Sequence, residues 1–123
     1  MASEKHRKLV ETLHRKTAAG KLDWREADLI LESDVYQLDL AMNSLRISRS
    51  TNSDGDDLIV ISLLNGEAKV VESFSDEDIE PDTNDRVYFR LLRDLYEMAG
   101  RRAMGSDKIL DDILTELDDD IPF

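Results

Sequence analysis

The chain has 123 residues, with 28 acidic side chains against 16 basic ones, a net charge of −12 and 41% hydrophobic residues. That is enough chain for one folded domain, and so negative a surface repels phosphate backbones and favours basic partners. The absence of Cys excludes disulfides, thiolate metal sites and cysteine nucleophiles.

The opening stretch MASEKHRK lacks the apolar core of a signal peptide, and no apolar run approaches the roughly 20 residues of a membrane span. A cytoplasmic protein is expected. Ser3 is placed to cap a helix running to about Ala18, with Gly20 as its terminator. Leu9, Val10, Leu13 and Thr17 recur on one side of it, and Trp24 comes next as an anchor. The stretch ADLILESD reads as strand or irregular structure. VYQLDLA then alternates, with Tyr36, Leu38 and Leu40 on one face and Gln37, Asp39 and Ala41 on the other, the pattern of a half-buried strand.

Met42-Asn43-Ser44 reads as a turn, after which Leu45 and Ile47 resume the alternation. The polar loop TNSDGDD leads into DLIVISLL, whose β-branched run predicts the central strand. Asn65-Gly66 signals a two-residue hairpin, with AKVVESF returning as partner. Beyond the acidic loop SDEDIEPDTN the period becomes helical. Val87, Leu91, Leu92, Leu95, Tyr96 and Met98 share one broad face; Gly105 breaks the helix and Ser106 caps another carrying Ile109, Leu110, Ile113, Leu114 and Leu117. The expected fold is therefore α+β: an N-terminal helix, a three- to four-stranded antiparallel meander, and two C-terminal helices packed on one sheet face. Residues 1–117 form the domain and residues 118–123 a flexible tip.

Charge is unevenly spread. Seven of the first 25 residues are Lys or Arg, whereas residues 76–85 hold six acids and no base. Residues 107–120 carry Asp107, Asp111, Asp112, Glu116 and Asp118–Asp120 against Lys108. Few of these groups promise chemistry. Asn52-Ser53-Asp54-Gly55-Asp56 superficially matches a calcium loop, but its first position would be Ser50 and its twelfth Ile61. His6 and His14 stand about two turns apart on one helix, too far to share an ion. No carboxylate pair sits in an apolar setting that would raise a pKa, and phosphate-binding glycine loops and nucleophile elbows are missing. No catalytic residue, metal or cofactor is expected, and the chain does not read as an enzyme.

The sequence ends in Asp118-Asp119-Asp120-Ile121-Pro122-Phe123. These six residues resemble the C-terminal tip of bacterial single-stranded DNA-binding protein (SSB), whereas the remaining chain shows neither that family's barrel nor its Gly/Gln/Pro-rich linker. The resemblance implies a docking peptide for SSB-interacting proteins: exonuclease I, RecQ-type and primosomal helicases, recombination mediators and a clamp-loader subunit. The residue chemistry agrees. Phe123 offers a ring whose full burial contributes about 1.5–3 kcal/mol, and a terminal carboxylate that suits a bidentate Arg. Pro122 holds Ile121 extended, and Asp118, Asp119 and Asp120 supply a field that steers towards a basic rim. Two alternatives stand beside this reading. One is a DNA mimic or immunity-type inhibitor acting through the folded acidic surfaces around Asp76–Asp85 and Asp107–Asp120. The other is an unrelated domain to which an SSB-type tip has been added.

Overall fold

A computed structural model describes residues 4–27, 34–79 and 87–119. Helix α1 spans Glu4–Ala18, strand β1 Arg25–Glu26, β2 Tyr36–Asp39, β3 Ser44–Thr51, β4 Asp57–Leu64 and β5 Val70–Ser75. A single turn, α2 (Asp76–Ile79), precedes helices α3 (Val87–Ala103) and α4 (Ser106–Asp119). The architecture is α+β, and among the described residues the sheet has five antiparallel strands in the sequential order β1-β2-β3-β4-β5. The expected three or four strands fall short by the two-residue β1, and the centre of the sheet is β3 rather than DLIVISLL.

Sheet and helices meet in one core. The register sets Tyr36 opposite Ile47, Leu38 opposite Leu45, and Ile47 opposite Ile61, which in turn faces Phe74. These side chains stand on one face and pack with Val10, Leu13 and Trp24 from the N-terminal segment and with Leu92, Leu95, Tyr96 and Ala99 of α3. At roughly 25 cal/mol per Å² of apolar surface, this shared burial is the main force holding the two layers together. The other face is mixed: the Ser62 and Ser73 hydroxyls lie 2.9 Å apart and Arg46 Nε donates to Gln37 Oε1 at 2.9 Å, while Leu58 and Val60 share that face.

Helix α1 ends as its sequence predicts. Gly20 sits at φ 72°, with its N–H donating to Thr17 O and that of Lys21 to Lys16 O, which satisfies the last carbonyls. Two His–carboxylate pairs fix the helix laterally: His6 Nε2 lies 2.8 Å from Glu72 Oε2, and His14 Nε2 3.1 Å from Asp94 Oδ2. Trp24 is the anchor expected of it, buried and donating from Nε1 to Thr17 Oγ1 at 3.0 Å.

Some local expectations change. Leu40 and Val87 are exposed because β2 stops at Asp39 and α3 turns its first residue outward. The Asn65-Gly66 turn is longer than two residues. Asn65 N–H donates to Lys69 O, Ala68 N–H to Asn65 O, and Ala68 takes the left-handed conformation at φ 63°. The loop at Asn52 repeats this arrangement with Gly55 at φ 85°, and in both turns the Asn Oδ1 accepts two backbone N–H groups. Asn-Gly works here through the Asn side chain, not through a primed two-residue turn. Ser3, most of ADLILESD and the second half of SDEDIEPDTN lie outside the described residues.

Candidate docking site

The candidate site is α4 together with the residues C-terminal to it. Gly105, at φ 67°, separates α3 from α4, and Arg101 Nη2 donates to Asp107 Oδ1 at 2.6 Å across the corner. Among the described residues, the contacts of any extent that α4 makes are with α3. The two C-terminal helices therefore do not both cover the sheet: α1 and α3 fill that face, and α4 leaves it. Ile109, Leu110, Ile113, Leu114 and Leu117 are each about half exposed, between 46% and 55%.

Asp118 and Asp119 form the last turn of α4, so the helix continues past Leu117 and the expected domain boundary falls inside it. Asp118 is exposed. No basic residue occupies that turn, and carboxylates at a helix C-terminus oppose the macrodipole. The expectation that the aspartates stop the helix at Leu117 is thus displaced by two residues. Asp120, Ile121, Pro122 and Phe123 lie outside the described residues. The structure brings two of the six tip residues together, on a helix end held clear of the sheet.

Beside the root of α4 lies a groove of about 550 Å³ lined by Tyr36, Tyr96, Gly100, Met104 and Ile109 among others. Its floor is built by close approach. A Cβ on Gly100 would stand 2.9 Å from the Tyr36 ring, so only glycine lets α3 settle on β2 here. The Tyr36 and Tyr96 ring centres are 5.4 Å apart. Tyr36 donates its hydroxyl to Met104 Sδ at 3.8 Å, and Tyr96 donates to Asp34 O at 2.7 Å. Burial, with Tyr96 and Asp34 close by, pushes the Tyr36 phenol up to about 12, so it remains a neutral donor. The groove is a mainly apolar recess whose lining also includes the charged Glu97 and Arg101.

Among the described residues no cluster of three or more His, Asp or Glu is arranged to hold a metal ion. One acid departs from the sequence expectation. Asp76 is only 3% exposed, and burial raises its carboxyl pKa despite the Ile59 N–H at 3.4 Å and Arg93 Nη2 at 3.7 Å. Asp76 therefore leaves the acidic surface on which it was expected, while Glu77 and Asp78 stay exposed. Its burial had no sequence signal, because an Asp between Ser75 and Glu77 looks like any other member of an acidic loop.

No helix among the described residues is long and apolar enough to cross a membrane. Comparison with protein-family models, with curated proteins and with solved structures finds no match to this chain.

Proposed function

We propose that this is a small, acidic, non-enzymatic binding protein of the cytoplasm. It docks its SSB-like tip, Asp118–Phe123, into the pocket that receives the SSB tail on genome-maintenance proteins, and so recruits itself to them or competes with SSB. The observation that carries the reading is the six-residue sequence Asp118-Asp119-Asp120-Ile121-Pro122-Phe123. The position of Asp118 and Asp119 at the end of a helix whose main contacts among the described residues are with α3 supports it, since nearby bulk would hinder entry to a pocket on another protein. In this reading the Phe123 ring fills the pocket and the aspartates meet its basic rim.

A short peptide with one buried ring gives about micromolar affinity, near −8 kcal/mol, weakened by salt through the aspartates. The test is competition against an SSB tail peptide on exonuclease I. The intact chain should displace the peptide, and Phe123→Ala should weaken displacement by about 2–4 kcal/mol, the range of an aromatic hot spot. Failure of the intact chain to displace, or equal displacement by Phe123→Ala, sinks the reading in favour of inhibition through the folded acidic surface.

A further inference from the structure

Independently of the tip, α4 carries a surface of its own. At roughly 100° per residue, Ile109, Leu110, Ile113, Leu114 and Leu117 occupy an arc of about 140°. Asp107, Asp111 and Asp118 border that arc on one side, and Asp112 and Glu116 on the other. The helix's one basic residue, Lys108, stands on the opposite side and bonds Asp112 at 2.8 Å. The five apolar side chains form a strip about 12 Å long. Each is about half exposed, and such contiguous apolar surface on a soluble domain marks an interaction site.

The charge pattern decides what covers it. A second copy of this chain would set two sets of flanking carboxylates along one seam, on bodies that each carry −12. Like charges at flanking positions disfavour helix pairing, whereas opposite charges select a partner. An anionic lipid surface is disfavoured for the same reason. A protein segment with an apolar stripe edged on both sides by Lys or Arg satisfies both the arc and its borders. We propose that α4 is a docking helix for a basic amphipathic helix of another protein, with Leu110, Ile113, Leu114 and Leu117 forming the apolar seam and Asp107, Asp111, Asp112 and Glu116 its acidic borders.

The probe is a synthetic amphipathic peptide of Leu and Lys, about as long as α4, titrated calorimetrically into the full-length chain beside a counterpart in which Glu replaces Lys. The Leu/Lys peptide should bind and the Leu/Glu peptide should not. Leu110→Ser with Leu114→Ser should weaken binding by at least about tenfold, with circular dichroism confirming that the helices remain. Should that pair disturb α4, Asp111→Lys with Glu116→Lys leaves the seam intact and should weaken binding by about tenfold as well. Phe123→Ala should bind the peptide as the parent does, which separates this surface from the tip. Unchanged affinity in the Ser pair would mean that charge alone attracts the peptide and would overturn the proposal. So would a parent chain that sediments as a dimer while the Ser pair sediments as a monomer, since a second copy would then be the occupant.

Discussion

Helices α3 and α4 are written in the same pattern and meet opposite fates. Both carry apolar residues at helical spacing along one side. In α3, Leu92, Leu95, Tyr96, Ala99 and Gly100 are buried, whereas every large apolar residue of α4 is about half exposed. The small residues account for much of the difference. Ala99 and Gly100 let α3 press against Tyr36, while the apolar arc of α4 holds only Ile and Leu and finds the sheet face already filled by α1 and α3. Periodicity states that a face is apolar. It does not state whether the cover comes from the same chain.

The contrast breaks most sharply at matched leucines. Leu95→Ala should cost about 2–5 kcal/mol in urea unfolding, because it opens a cavity in a closed core. Leu114→Ala should change stability by less than about 0.5 kcal/mol, because its site is already wet. Equal costs for the two would mean that α4 is packed after all.

Gly100→Ala probes the close approach itself. The added Cβ meets Tyr36 ring atoms at 2.9 Å, so α3 or the ring must shift, at an expected cost of about 1–3 kcal/mol. Near-ultraviolet circular dichroism should change with it, since Tyr36 and Tyr96 lie against each other. An unchanged spectrum together with parental stability would show that the groove floor adjusts freely.

The smallest effect concerns the acids. Asp76 lies against Arg93 of α3, and burial raises its pKa; Asp111, Asp112 and Glu116 of α4 are exposed. With the folded pKa above the unfolded one, the stability Asp76 contributes is complete below the ordinary carboxylate range and is lost as pH rises through the raised value. Asp76→Asn lacks that loss, so its stability relative to the parent should grow as pH rises from about 3 towards neutrality. A difference that stays flat with pH would remove Asp76 from the account. Asp39 supplies the opposite sign. Arg25, then Gln37 and Ser44, hold its carboxyl down to about 2, so its contribution is present above the ordinary carboxylate range and disappears as pH falls towards that value.

These contrasts also mark how far the sequence was readable. The extent of α1, its glycine stop, the Leu45 and Ile47 alternation and the α3 face were all legible, since each is a local pattern with a physical period. Strand β1 was not: Arg25 and Glu26 are two exposed residues, recognisable only by pairing with Gln37 and Tyr36. The burial of Asp76 and the bare face of α4 were equally hidden, because both depend on what other segments do. Asp118–Phe123 offers a resemblance to a motif and no periodic pattern from which local structure could be read.

The sheet's sequential order has a kinetic side. The meander closes through hairpins between neighbours, at little cost in loop closure. Helix α1 is different: its His6 pair spans 66 residues and its His14 pair 80, and its main helical neighbour is α3. During synthesis α1 is made well before α3, and it has no complete seat until α3 has emerged. Leu13→Ala should therefore quicken unfolding and leave the refolding rate almost unchanged in stopped-flow experiments. A slowed refolding limb would show that α1 joins the nucleus. Until α3 arrives, Val10 and Leu13 have only part of their cover, and the growing chain carries an apolar helix face of the kind that the finished protein keeps on α4.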